Sequence, residues 1–308
     1  ETRNRGIEVS INTINIRNKN FTWESNLNFA HNKNKIVALA DADYFTERSG
    51  WSTVSEFNDD DYIIAVGQSM GQMYGYQLDG KGIYMVEDFH WDNAANSGNG
   101  GYVLNGEGNS YDASIQPGYW KFKDTDGVKG ITSDDKTVIG NATPDIIGGF
   151  INNFTFKGFD LSIGLNFQIG GDVYNANKMY FTKMNNKNRN SLANAAERFT
   201  YIDGTGANVF KDPEKLAILN RNANYASIEG SSNLAFHSGY VEDASFLRLN
   251  NVTFGYTFPK TWLKKAYISN LRVYASAYNL FTITGYSGYD PEVNTKPNGG
   301  LTPGVDWG

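Results

Sequence analysis

Not one of the 308 residues is cysteine, which excludes a disulfide framework and any thiolate metal site. The longest unbroken apolar run is Ile36–Val37–Ala38–Leu39–Ala40. A transmembrane helix needs about 20 such residues, so the chain has none. It also has no block of basic charge. Its 27 basic and 33 acidic residues are scattered, with a formal net charge of −6, and leave no footprint for nucleic acid. No secretory signal pattern opens the chain, which begins Glu1–Thr2–Arg3–Asn4–Arg5 and runs straight into alternating residues. An export signal is therefore expected upstream of it. The patterns GxSxG, GxxxxGK[ST] and HExxH are missing as well, and nothing selects a pair of carboxylates for acid–base work, so no enzymatic activity is expected.

Aromatic residues and glycine are plentiful: 19 Tyr, 19 Phe, 6 Trp and 33 Gly point to a β-rich protein with long polar loops. Six segments alternate with period two. In FDLSIGLNFQIGG (Phe159–Gly171), Phe159, Leu161, Ile163, Leu165, Phe167 and Ile169 fall on one face, and Asp160, Ser162, Gly164, Asn166 and Gln168 on the other. The same pattern runs through Gly6–Arg17, from Phe21 to Phe29, from Ile147 to Lys157, through Phe246–Phe258 and through Leu271–Asn279. In the first of these, Ile7, Val9 and Ile11 share one phase and Ile14 and Ile16 the other. That phase change predicts a bulge or bend near Asn12–Thr13. Pro259 ends the fifth.

Short and long connections alternate strictly. Strands one and two are joined by the four residues Arg17–Asn20, three and four by Lys157–Gly158, and five and six by the dozen residues Pro259–Asn270, whereas residues 30–146 and 172–245 form two long segments. Consecutive antiparallel strands then place every short turn at one end and every long loop at the other. An outer-membrane β-barrel is built this way, with its apolar face in lipid and a wet lumen behind it. Strand length and the aromatics near strand ends (Phe21, Trp23, Phe154, Phe156, Tyr256, Phe258) agree with that reading. The alternative is a soluble or surface-attached β-sandwich that binds glycans, since its strands alternate too.

Within the long segments, Tyr62–Leu78 reads as short strands, and Asp212–Pro213–Glu214 as the capped start of a helix through Leu219. Gly98–Asn99–Gly100–Gly101 reads as a flexible loop tip.

Several stretches, in order along nearly the whole chain, carry a family resemblance. They include RGIEVSINTINIRNKNFTWESNLNFAHNKNKIVAL (Arg5–Leu39), VGQSMGQMYGYQLDG (Val66–Gly80), QPGYWKFKDTDGVKGITSDDKTVIGNATPDIIGGFINNFTFKGFDLSI (Gln116–Ile163), GGDVYN (Gly170–Asn175), SFLRLNNVTFGYTFP (Ser245–Pro259), LRVYASAYNLFTITGYSGYDPEV (Leu271–Val293) and TPGVDWG (Thr302–Gly308). Together they resemble the SusC-like (RagA-like) TonB-dependent outer-membrane transporters of Bacteroidetes. The resemblance implies a 22-stranded barrel with an N-terminal plug, energised by the TonB system. It also implies a SusD-like surface lipoprotein as a lid, and an oligosaccharide or peptide as cargo. Residues 1–308 are then expected to be a C-terminal portion of the barrel. The plug, the early strands and the last strand fall outside this chain, and the remainder of the barrel becomes a partner alongside the lipid bilayer.

Two candidate sites follow. Trp51, Trp91, Tyr119 and Trp120 stand among Asp92, Asn93, Asn96 and Asn99, a mixture suited to stacking on sugar rings. The same aromatics suit packing within the loop or contact with a lid protein. Asp124, Asp126 and Asp135 occupy positions 1, 3 and 12 of a calcium-loop spacing with Ile131 at position 8. Val128 at position 5 and Lys129 at position 6 break the pattern, so a solvated acidic turn is the competing reading. Asp59–Asp60–Asp61 reads as a solvated loop. His31, His90 and His237, which have no ligand spacing, read as surface or lumen residues.

Overall fold

The computed structural model describes residues 1–51, 60–106, 114–183, 188–230, 235–295 and 300–307. Six long strands dominate it: β1 (Thr2–Arg17), β2 (Phe21–Ile36), β3 (Ile146–Phe156), β4 (Phe159–Ile169), β5 (Phe246–Thr257) and β6 (Arg272–Thr284). They form one antiparallel sheet whose spatial order is the chain order, leaving β1 and β6 as its two edges. No helix among the described residues is long and apolar enough to cross a membrane.

Residues directly opposed across an antiparallel ladder share a face, so the register sorts every side chain. One row reads Ile11, Leu27, Phe150, Leu165, Leu249 and Phe281 across all six strands. The row next to it, on the opposite face, reads Ser10, Asn28, Gly149, Asn166, Arg248 and Thr282. The period-two pattern therefore folds into a sheet with one apolar and one polar side.

The bulge in β1 falls at Asn15, two residues beyond the expected Asn12–Thr13. Ile14 stays opposite Glu24 on the polar face, and the extra residue returns Ile16 to the apolar face opposite Trp23. The phase change in the sequence was thus an isoleucine on the polar side followed by the bulge. A second irregularity leaves Asn250 unpaired between Leu249 and Asn251. On the apolar face one row turns polar over three strands, with Thr13, Ser25 and Asn152 aligned. Asn152 accepts hydrogen bonds from Ser25 Oγ (2.7 Å) and Trp23 Nε1 (3.0 Å), which offsets much of the cost of placing an amide there.

The tight turn Lys157–Gly158 joins β3 to β4, and short segments join β1 to β2 and β5 to β6, all at one end of the sheet. At the other end the long segments and the chain after β6 fold together as a cap with its own core. Its strands Thr137–Asn141, Gln72–Gly75, Tyr62–Ala65 and Tyr44–Glu47 form a four-stranded sheet in that order. Val241–Asp243, Asp172–Asn175 and Val305–Asp306 form another, the last strand parallel to its neighbour. Tyr62, Met73, Tyr174, Phe199, Leu216 and Val305 are almost wholly buried among these elements. Helix α1 (Ala176–Thr182) and helix α2 (Pro213–Asn220) flank the core. As expected, Asp212 caps α2, accepting from the Lys215 amide at 3.1 Å, with Pro213 in the first turn.

Candidate functional site

The four aromatic candidates lie in the cap and divide into two pairs. Trp51 is 3% exposed, its ring 5.1 Å from Trp307 and 6.0 Å from Tyr174. Trp120 is 6% exposed, with His237 at 4.5 Å and Tyr240 at 6.0 Å. Both rings are core, and neither offers a face to a ligand. Trp91 and Tyr119 are half-buried. Trp91 meets Tyr102 edge-on at 5.1 Å and donates Nε1–H to Asn93 Oδ1 at 3.0 Å. Gly100 packs beneath it: a Cβ there would meet Trp91 Cζ2 at 2.5 Å, and its φ of +78° suits glycine. Gly100 is therefore packed under Trp91 at the end of a hairpin (Phe89–Asp92 with Gly101–Leu104), while Gly98 and Asn99 stay exposed at its tip.

His237 likewise departs from expectation. It is buried among Trp120, Phe122 and Tyr240, and that burial pushes its imidazole down to about 3, so the ring is neutral. Nδ1 accepts from the Gly239 amide at 3.2 Å. In the Asp59–Asp60–Asp61 run, Asp59 is outside the described residues and Asp60 accepts from Thr46 Oγ1 at 2.6 Å. Asp61 is fully buried rather than solvated, accepting from the Ser49 amide at 2.7 Å and from the Ser49 hydroxyl. Burial pushes its carboxyl up to about 6, against the opposing pull of those Ser49 bonds.

Asp124, Asp126 and Asp135 do converge, with one carboxylate oxygen from each within 4.8 Å of the others. Their bonding, however, is directed at the turn's own backbone. Asp135 Oδ1 accepts from the Thr125 amide (2.8 Å) and Oδ2 from the Thr132 amide (2.8 Å), while Asp124 accepts from Gly127 (2.6 Å) and Asp126 from Val128 (2.7 Å). Burial alone would raise the Asp135 carboxyl, but amides of Thr132, Thr125 and Asp126 outweigh it and hold it below its ordinary value. Ile131 is buried and anchors the turn to the core. Three carboxylates, with no fourth side-chain oxygen at Val128, supply only part of the six to eight oxygens calcium takes, the rest of which would fall to backbone carbonyls and water.

Sequence reasoning missed how TPGVDWG is used. Val305–Asp306 pairs with Tyr174–Asn175, Tyr62 donates its hydroxyl to the Pro303 carbonyl, and Trp307 wedges between Trp51 and Tyr180. Gly304 has φ +82°, and a Cβ there would stand 2.6 Å from Ala142 Cβ. The stretch locks the cap's core. Also missed was a cavity of ≈490 Å³ between α1 and the segment after β6, lined by Asn177, Lys178, Phe181, Asn194, Ser287 and Tyr289. Tyr289 is exposed at its edge. Glu242 beside it, which burial would push up, is held below its ordinary value by bonds from Ser287 and from Lys178 at 3.0 Å.

No protein-family model matches the chain. It is 33% identical to TonB-dependent receptor P39 of Formosa agariphila, over 98% of this chain and 28% of that protein. It is 31% identical to TonB-dependent receptor P3 of the same organism, over 96% and 26%. With TonB-dependent receptor SusC of Bacteroides thetaiotaomicron the identity is 26%, over 95% and 24%. The chain belongs with the SusC-like TonB-dependent receptors. It spans about a quarter of the length of the curated relatives it matches. Among solved structures it resembles the RagAB peptide transporter, with TM-score 0.65 and 20% identity over 99% of this chain and 27% of that one.

In a SusC-like receptor the six-stranded sheet is barrel wall: antiparallel, meandering, and with its short turns at one end. The six strands do not close on themselves, since β1 and β6 are both edges. The polar face carries an ion-pair triad in which Arg248 meets Asp290 at 2.7 Å and also Glu292. That triad ties the segment after β6 to β5.

Proposed function

We propose that this chain is a C-terminal portion of the wall and outer vestibule of a transporter that imports nutrients across an outer membrane. A longer polypeptide supplies the plug, the early strands and the last strand. The observation that carries the reading is the segregation of the sheet into an apolar face and a polar face with all short turns at one end. The apolar face meets lipid, the polar face lines the lumen, the short turns are periplasmic and the cap is extracellular.

Energy reaches the transporter from the TonB system through the plug, and a SusD-like lipoprotein closes over the cap. The cargo is an oligosaccharide or a peptide. Of the four candidate aromatics, Trp91 and Tyr119 keep partial exposure, which supports assigning them to cargo contact, with the amide-lined cavity beside Tyr289 as a further contact. Trp51 and Trp120 support the vestibule from within. The acidic turn Asp124–Asp135 serves as a self-bonded structural turn. No catalytic role is proposed; the relatives are named as receptors and transporters.

Detergent extraction of outer membranes, affinity capture of the polypeptide and mass spectrometry of what accompanies it test this reading. A parent chain several times longer, together with a surface lipoprotein, is expected. Recovery of a soluble chain of 308 residues alone would overturn it in favour of a glycan-binding β-sandwich.

A further inference from the structure

The end of the sheet that carries the short turns is rich in lysine. Lys19 stands in the turn between β1 and β2, Lys157 between β3 and β4, and Lys260, Lys264 and Lys265 between β5 and β6. All five are exposed, and none makes an ion pair among the described residues. The two arginines nearby are already neutralised, Arg17 by Glu24 at 2.7 Å and Arg272 by Asp160. An unpaired excess of positive charge therefore rings this end.

The same end carries a continuous band of rings on the apolar face. Phe254 stacks on Phe159 at 5.7 Å, Phe159 meets Tyr256 at 4.5 Å, Tyr256 meets Phe258 at 4.9 Å, and Phe258 reaches Trp262 at 6.4 Å. The band leads off the strand into the turn between β5 and β6, where Trp262 is 65% exposed and Tyr267 99% exposed. Leu263 is buried, so the turn is held against the wall rather than hanging free. Exposed Trp and Tyr beside lysines at the edge of an apolar surface is the composition of a membrane–water boundary.

We propose that the turn between β5 and β6 is a binding surface for anionic phospholipid headgroups of the inner leaflet, with Lys157 and Lys19 in the turns further along the same end of the sheet. Trp262 and Tyr267 seat the turn at the glycerol level while Lys260, Lys264 and Lys265 meet the phosphates. Two observations select this occupant: the turn continues the apolar face without a break, and its unpaired charge is complementary to phosphate. The inference rests on the membrane-wall reading above.

The test uses the whole transporter, delipidated in detergent and offered equal amounts of phosphatidylglycerol and phosphatidylcholine, with retained lipid counted by native mass spectrometry. The wild type is expected to keep phosphatidylglycerol several-fold over phosphatidylcholine. The combined variant Lys260→Gln, Lys264→Gln, Lys265→Gln is expected to lose most of that preference. The matching Lys→Arg variant, which keeps the charge, is expected to retain it. An unchanged preference in the glutamine variant would overturn the proposal and leave these lysines to a periplasmic partner. Loss of preference in the arginine variant as well would show that the turn's fold, not its charge, had been measured, and would equally overturn it. Retention of neither lipid by the wild type would overturn the membrane wall itself.

Discussion

Asp61 is a carboxyl with no exposed surface, held to Ser49 and followed in the chain by the equally buried Tyr62. Its pKa is raised to about 6, so the folded cap binds a proton more tightly than the unfolded chain does. The stabilisation is complete below about pH 4 and is lost as pH rises through about 6. A shift of that size corresponds to at most roughly 3 kcal/mol. The melting temperature of the cap is expected to rise from pH 7 to pH 5 by more in the wild type than in Asp61→Asn, and identical pH profiles would refute the assignment. Asp135 works in the opposite sense, since its lowered pKa stabilises the turn above its ordinary range and the benefit fades in acid. Because its oxygens already accept three amides, millimolar calcium should leave the melting temperature unchanged. A calcium-dependent rise that Asp124→Asn removes would restore the metal reading. The spacing of these aspartates was legible in the chain, and so was their convergence. Which partners their oxygens chose was not, because backbone amides leave no trace in residue type.

All six wall strands were legible in the chain, and two of them almost to the residue, because alternation is a local signal that any one strand displays by itself. β3, from Ile146 to Phe156, and β4, from Phe159 to Ile169, end within two residues of their expected limits. β2 and β6 run on to Ile36 and Thr284, beyond the last clear alternation, since ladder pairing with a neighbour extends strands through polar residues. The bulge was placed early because Ile14 on the polar face imitates a change of phase. A consequence of the register is that adjacent residues of β4 face opposite sides of the sheet. Leu165 faces the apolar side between Phe150 and Leu249, and Asn166 the polar side between Gly149 and Arg248. Leu165→Arg is expected to cost about 2–4 kcal/mol of membrane-inserted stability, with Asn166→Arg far milder. Urea unfolding in lipid vesicles measures both, and equal costs would count against a lipid-facing sheet.

At the scale of the molecule, wall and cap are stabilised by different means and differ in how much the chain betrays of them. The wall's neighbours are consecutive strands, so its pairing follows from order alone. The cap joins segments far apart: the Tyr62 hydroxyl meets the Pro303 carbonyl across 241 residues, and Tyr174 pairs with Val305. Nothing local marks such partners, and an aromatic residue in a polar loop fits a ligand platform as well as a core. Trp51 and Trp120 were ambiguous for that reason, and only packing resolves them. The final stretch joins these distant segments, since Trp307 fills the gap between Trp51 and Tyr180 while its amide donates to Thr295 Oγ1 at 2.7 Å. Trp307→Ala should therefore loosen the cap by about 2–3 kcal/mol, less than a fully buried tryptophan because the ring is only partly enclosed. The strands of the wall share none of these contacts, so they should stay paired and membrane-inserted. Limited proteolysis from the outer face, followed beside infrared β-sheet content in vesicles, separates the two. Faster cleavage within residues 37–145 and 170–245 with unchanged sheet content is expected. Simultaneous loss of both would mean that cap and wall fold as one cooperative unit.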